Sequence, residues 1–116
     1  MSRLIRTEAS PVLSKAVEYH GFVFTQGFVT SDPALDLAGQ THDVLAQISA
    51  LLELHGTDNT RLLQAQIWLK NMADRAAFNE IWSAWLPAGE APARAAIQAE
   101  LADPRWLVEV MVIACK

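Results

Sequence analysis

Apolar residues between positions 36 and 55 recur mostly three and four residues apart, the spacing of one face of a helix. They are Val44, Leu45, Ile48, Leu51, Leu52 and Leu54. Gly56 follows directly and is expected to end this helix in a left-handed conformation. The pattern therefore predicts an amphipathic helix over residues 36–55.

A second helix is predicted over residues 73–86. Its apolar stripe consists of Phe78, Ile81, Trp82 and Trp85. Asp74 suits the N-cap or the first turn, where a carboxylate meets free backbone amides. Pro87 and Gly89 mark the end of the helix.

Strand patterns surround these two helices. His20-Gly21 is typical of a tight turn and joins residues 16–19 to residues 22–26 in a predicted hairpin. The second arm is expected to continue through residues 28–30, with a bulge allowed at Gly27. Further strands are predicted over residues 4–6, Leu62–Leu69 and residues 106–114.

Residues 93–101 carry two conflicting signals. Their alanine content favours a helix by propensity. As a strand, the segment would place Arg94, Ala96 and Gln98 on one side and the more apolar positions on the other. Periodicity leaves both alternatives open. The strand alternative gives the order β-β-β-α-β-α-β-β, an α+β sandwich with both helices on one face of the sheet.

Composition narrows the class of protein. A chain of 116 residues is expected to form one domain over residues 1–116 and can bury a core. Its 52% hydrophobic content and four tryptophans exceed what a small monomer can easily bury, so we expect a subunit interface. The net charge of −4 argues against a nucleic-acid surface.

The single cysteine, Cys115, excludes an internal disulfide, and the three histidines lack metal-ligand spacing. No metal or cofactor is therefore predicted. The first residues lack the apolar stretch of a signal peptide, and no apolar run approaches the ~20 residues that span a bilayer. We expect a cytoplasmic protein without a membrane partner.

One acidic residue, Glu109, interrupts the apolar run at residues 106–114. Its neighbours predict a strand buried on both faces, where an unpaired carboxylate costs several kcal/mol. Arg94 is the best candidate for its partner. The pair could be a structural ion pair between strands or a functional site, and both interpretations remain open on these residues alone.

An ordered set of short segments resembles the Rid (reactive intermediate deaminase) or YjgF-like family over nearly the whole chain. The strongest part is Ala91-Pro92-Ala93-Arg94 with Glu109 fifteen residues after the arginine. Weaker matches are Ser14-Lys15-Ala16-Val17, Phe24-Thr25-Gln26-Gly27, and Met72-Ala73-Asp74 with Phe78-Asn79 and Trp82.

The resemblance implies a chorismate-mutase-like sandwich with two helices on one face of a mixed sheet, and it makes residues 93–101 a strand. It also implies a homotrimer with clefts between subunits. By position, Arg94 would bind the carboxylate of a 2-imino or enamino acid, and Glu109 would position the water that attacks it. Asn79 matches a third position near the cleft. The products would be a 2-oxo acid and ammonia.

Four positions depart from the family pattern. Leu13 replaces a tyrosine at the cleft, Gln26 a serine, Phe28 a glutamine and Ala96 a cysteine. The resemblance places Leu13 and Gln26 in substrate binding, with an altered pocket wall. The alternative hypothesis is therefore a non-catalytic trimeric module that binds small carboxylate metabolites in the same cleft. RNA cleavage, ascribed to some relatives, fits the acidic charge poorly.

The remaining polar candidates carry weaker signals. His20 is expected in a turn, His42 in the first turns of a helix, and His55 in a solvated or capping role. No sequence pattern pairs Ser14 with a histidine that could activate it. Cys115 is expected to be a free thiol without a function. The four tryptophans are expected in the core or an interface.

Overall fold

A mixed six-stranded sheet carries two α-helices on one of its faces. The computed structural model describes residues 3–116. The elements are β1 (Ile5–Thr7), β2 (Ala16–Tyr19), β3 (Phe22–Thr25), α1 (Leu37–Leu54), β4 (Leu62–Leu69), α2 (Arg75–Trp85), β5 (Ala93–Gln98) and β6 (Val108–Cys115). The strands lie in the order β1-β2-β3-β6-β4-β5, and only the β4–β5 pair is parallel. The predicted element order and α+β sandwich are confirmed.

Helix α1 follows the prediction closely. The Asp36 carboxylate caps it by accepting a 2.8 Å hydrogen bond from the Gly39 amide. His55 is its C-cap, and Gly56 adopts the predicted left-handed conformation with φ of 75°. The predicted apolar stripe is buried except for Leu54, which is 69% exposed. Within residues 3–116, neither this helix nor any other is long and apolar enough to cross a membrane.

Helix α2 begins two residues later than predicted. Residues Met72–Asp74 form a 3₁₀ turn first, and Asp74 occupies the N-cap position without a capping hydrogen bond from its side chain. Phe78 and Trp82 are buried against the sheet, with ring centroids 5.8 Å apart. These two aromatic residues anchor the helix to the core.

The predicted hairpin is confirmed. His20 and Gly21 form its turn with φ values of 51° and 79°, as a type I′ turn requires. Beyond β3, the predicted continuation through residues 28–30 is wrong except at Phe28. Only Phe28 pairs with β6, opposite Val110.

Segment 93–101 forms a strand over Ala93–Gln98, which resolves the open alternative. Each of its six residues pairs with β4 in a parallel ladder, so hydrogen bonding along the sheet edge outweighs alanine's helix preference. Strand β4 separates it from β6. The short turn at residues 102–104 therefore does not make a hairpin of β5 and β6.

The two faces of the sheet differ in burial. On β6, Val108, Val110, Val112 and Ala114 lie under the helices and are at most 1% exposed. The alternate residues are only half-buried, so the expectation that β6 is buried on both faces is wrong for a single chain. We call this second side the open face; it carries Val17, Tyr19, Phe22, Phe24, Gln66, Trp68, Ile97, Glu109, Met111 and Ile113.

Candidate functional site

Glu109 lies on the open face near the middle of the sheet, directly opposite Trp68 of β4. Burial raises the pKa of its carboxyl above the ordinary value, so the neutral acid is favoured more than in water. Among residues 3–116, we find no cation or hydrogen-bond donor paired with this carboxylate. The protein thus maintains a half-buried acid whose charge is not compensated within the chain.

The Glu109 carboxylate rests directly on Gly27. A Cβ atom added to Gly27 would overlap Oε2 of Glu109, so the carboxylate can occupy this position only while residue 27 is glycine. Backbone bonds hold Gly27 in place, because the Phe28 amide donates to Val110 O at 2.8 Å. The Thr25 hydroxyl also accepts from the Val112 amide at 3.0 Å and donates to Gln26 O at 2.8 Å. This is the predicted bulge, and it brings the backbone next to the Glu109 side chain.

Gln26 and Leu13 belong to the same end of the sheet. The Gln26 amide donates to Lys15 O at 2.9 Å, which continues the β2–β3 pairing by one residue. Leu13 lies two residues before Lys15 and is 51% exposed. Gln26 directly precedes Gly27, against which the Glu109 carboxylate lies, whereas Leu13 lies in the loop before β2.

Arg94 extends from the other face of the sheet, towards helix α2. Its guanidinium carbon lies 5.7 Å from the Phe78 ring centroid and 5.8 Å from that of Trp82. Burial, and secondly the charge of Arg75, lower the pKa of Arg94, although guanidinium remains a cation at neutral pH. No carboxylate among residues 3–116 forms a salt bridge with it. A half-buried cation held by aromatic rings is available to an external anion.

Asn79 follows Phe78 on α2, and its Oδ1 atom is buried without a hydrogen-bond partner. Ala96 packs against the core on the same face as Arg94. Phe28 is a different case: it is only 1% exposed. The expectation that Phe28 alters a pocket wall is therefore wrong, because its side chain belongs to the core.

The predicted pairing of Arg94 with Glu109 does not occur within one chain. Glu109 lies in register with Trp68 and Ile97, whereas Arg94 lies in register with Ala65. Two strand spacings across the sheet and three residues along it separate their Cα atoms by about 14 Å. Arg94 and Ile97 are an odd number of residues apart, so the side chains of Arg94 and Glu109 lie on opposite faces of the sheet. The structure thus places Glu109 against Gly27, which follows Gln26, and Arg94 against Phe78, which precedes Asn79.

Of the three histidines, His55 departs from expectation. His20 lies in the predicted turn and His42 on the exposed side of α1. His55 caps α1 as expected, but it is 8% exposed rather than solvated. It contacts Glu18 and Thr7, and neither was predicted as a partner. Within residues 3–116, no three His, Cys, Asp or Glu side chains are grouped to hold a metal.

Two helices on one face of this mixed sheet define an α+β sandwich of the YjgF-like class. Residues 5–116 match the family model described as endoribonuclease L-PSP. The chain therefore belongs to this family, and its resemblance to Rid/YjgF-like proteins is confirmed.

Similar proteins support this membership over the full domain. A RutC family protein of Haemophilus ducreyi is 37% identical over 111 residues, covering 96% of this chain and 95% of the relative. The solved structure of a YjgF-family protein from Neisseria meningitidis is 40% identical with a TM-score of 0.93, covering 98% of this chain and 95% of the other. A structure from Pseudomonas aeruginosa is 36% identical with a TM-score of 0.95, covering 98% and 99%.

Proposed function

We propose that the protein is a hydrolytic deaminase of reactive 2-imino and enamino acids, acting at a site completed by two copies of the chain in a homotrimer. One observation carries this proposal. The candidate residues form two half-sites on opposite faces of the sheet, and each contains a charged or ionisable group without a partner. One half offers a cation for a carboxylate, and the other offers an acid for proton transfer.

Arg94 binds the substrate carboxylate in this proposal. A guanidinium forms a two-pronged contact with a carboxylate, and the aromatic support from Phe78 and Trp82 limits its motion. Asn79 is assigned to the same half-site because its buried oxygen lacks a donor. The role of Asn79 stays a prediction.

Glu109 positions the attacking water and transfers its protons. Water adds to the C=N carbon while the carboxylate takes one of its protons. Glu109 returns that proton to the nitrogen, which gives a carbinolamine. It then carries the hydroxyl proton to the amine nitrogen, the C–N bond breaks, and ammonia leaves a 2-oxo acid. The raised pKa suits this exchange, because a carboxyl that titrates closer to neutral pH both accepts and donates protons more readily. Leu13 and Gln26 are assigned to the substrate side chain in this proposal, and Gln26 directly precedes Gly27.

The open face supplies the contact surface for the trimer. Tyr19, Phe22, Phe24 and Ile97 are each 42–48% exposed there, a larger apolar area than small monomers usually leave uncovered. Three copies packed with the open face of each against the β5 edge of the next would cover these residues and set a Glu109 half-site against a neighbouring Arg94 half-site. RNA cleavage is not proposed, because a net charge of −4 opposes binding of a phosphate backbone.

Phe24→Asp is expected to break the assembly, because three carboxylates would be forced into an apolar contact. Light scattering should give the 12.8 kDa chain mass instead of three times that mass. Leu54→Asp is the matched control, since Leu54 is 69% exposed on α1, away from the open face. A wild-type protein that already scatters as a monomer would rule out an inter-subunit site.

The proposed reaction is tested with an amino-acid oxidase that releases imino acids into a semicarbazide trap. Added protein should divert imine to the oxo acid, and Arg94→Ala should lower kcat/KM by about 100-fold or more. Arg94→Lys should fall in between, because it keeps the charge without the two-pronged geometry. Arg105→Ala is the control, since that exposed arginine pairs with Asp103.

Wild-type protein that hydrolyses a panel of imino acids no faster than Arg94→Ala would refute catalysis. The binding module is the second candidate, favoured by Leu13 and Gln26, which depart from the tyrosine and the serine of the family pattern. Thermal-shift measurements with 2-oxo acids distinguish it. Stabilisation that disappears in Arg94→Ala, without turnover in the wild type, would assign this function instead.

A further inference from the structure

A hydroxyl, an imidazole and a carboxylate form a continuous chain on the helix side of the sheet, at the edge away from Arg94. Thr7 Oγ1 lies 3.0 Å from His55 Nε2, and His55 Nδ1 lies 2.8 Å from Glu18 Oε1. The three residues come from β1, the C-cap of α1 and β2. This connectivity is that of a nucleophile, a general base and an orienting acid.

The proton positions in this chain follow from the Glu18 charge. The hydrogen bond from His55, and then that from Lys116, hold the pKa of the Glu18 carboxyl below its ordinary value. An ionised carboxylate only accepts hydrogen bonds, so Nδ1 of a neutral His55 carries the proton and donates to it. Nε2 then has a free lone pair, and the Thr7 hydroxyl donates to it. The two contacts therefore orient a neutral imidazole as a general base requires, with Nε2 towards the hydroxyl.

The cluster differs from an ordinary surface contact in its burial and in the cleft beside it. The side chains of His55 and Glu18 are 6% and 13% exposed, and Thr7 is half-buried. They line an open cleft of about 520 Å³ together with Ile5, Gly56 and Lys116. That volume accommodates a small acyl group, and Ile5 provides an apolar wall for it. The Lys116 ammonium, 3.2 Å from Glu18, adds a cation at the rim.

We propose that Thr7 is a nucleophile for acyl transfer and that this cleft binds small acyl esters, independently of the imine-hydrolysing site. Thr7 Oγ1 attacks the acyl carbon and gives its proton to His55 Nε2. The bond to the alcohol oxygen breaks, and the alcohol leaves with that proton. Water then attacks the acyl carbon of the acyl-threonine and gives a proton to Nε2. The bond between that carbon and Thr7 Oγ1 breaks, the proton passes from Nε2 to Oγ1, and the acid is released. Glu18 acts as a positioning residue that holds the imidazole and offsets its charge.

The test uses two probes on the full-length protein: p-nitrophenyl acetate for turnover and an alkyl fluorophosphonate for covalent labelling. The fluorophosphonate should form one phosphorus–oxygen bond at Thr7 with loss of fluoride, located by peptide mass spectrometry. Thr7→Val keeps the shape and removes the hydroxyl, so turnover should fall by about 100-fold. Thr7→Ser should keep turnover, and His55→Asn should lose it.

Several controls make the result specific to the cluster. Thr60 bonds to Asp58 without a histidine and should remain unlabelled. Arg94→Ala should leave ester turnover unchanged, which separates this inference from the deaminase proposal. The proposal would be overturned by a Thr7→Val variant that melts at the wild-type temperature and hydrolyses the ester as fast as the wild type. Labelling at Lys116 or Cys115 instead of Thr7 would also overturn it.

Discussion

Two inactive variants, Arg94→Ala and Glu109→Gln, are expected to restore activity when they assemble together. Each proposed site takes Arg94 from one chain and Glu109 from its neighbour. A site is intact when the Glu109→Gln chain supplies Arg94 and the Arg94→Ala chain supplies Glu109. In a closed ring of three, every mixed assembly contains one intact site, so about one third of the wild-type deaminase rate should return once unmixed assemblies are removed.

The experiment requires mixed assemblies, so the two chains should be co-expressed with different tags and purified through both. The rate is then measured with the oxidase-coupled assay. Co-expression of Arg94→Ala with the Arg94→Ala/Glu109→Gln double variant is the control, and it should stay inactive, because neither chain supplies Arg94. Doubly tagged assemblies of the two single variants that show no activity would contradict the shared site.

This arrangement explains why strand positions were easier to predict than the relation between Arg94 and Glu109. The stripe of α1 and the caps at Asp36 and Gly56 are local features, and the structure reproduces them. Alternation within β5 was also readable from the sequence. However, the alternation within one strand does not determine which face of the sheet a residue of the next strand occupies. It depends on β4 inserting between β5 and β6.

The secondary structure of residues 93–101 depended on a similar long-range effect. Alanine propensity is a local quantity, whereas the parallel ladder with β4 is a tertiary one. Only the family resemblance indicated a strand. The resemblance likewise supplied both halves of the candidate site, Glu109 with Gln26 and Arg94 with Asn79. It did not assign them to opposite faces of one chain.

The Thr7, His55 and Glu18 cluster had no signature in the spacing of its residues. Its members are 11 and 37 residues apart in sequence and meet only because β1 and β2 pair beside the end of α1. One partial signal was present. A histidine directly before a helix-ending glycine has a defined backbone position at the helix terminus, which limits where its ring can reach. The local sequence predicted that His55 caps α1, whereas its partners Thr7 and Glu18 depend on the pairing of β1 with β2.

Gly27→Ala is expected to abolish most deaminase activity although it adds only one methyl group. The new Cβ would occupy the position of Glu109 Oε2, so the carboxylate must turn away from the proposed water site. We expect kcat to fall by about 100-fold, as for loss of a general base. The free energy of unfolding should fall by about 1–3 kcal/mol, the usual cost of overpacking. Gly27 does not have a positive φ, so alanine fits its backbone and the effect comes from the overlap alone.

A double-mutant cycle separates this overlap from a general loss of structure. In Gly27→Ala/Glu109→Ala the methyl group has room. The loss in the free energy of unfolding of this double variant should therefore be at least about 1 kcal/mol smaller than the sum of the losses of the two single variants. Urea unfolding of all four proteins measures the coupling, and the deaminase assay should find both Glu109→Ala variants inactive. Additive free energies would mean that Gly27 and Glu109 do not share this space. Full activity in Gly27→Ala would mean that the carboxylate acts from another position, because the position against Gly27 would be closed to it.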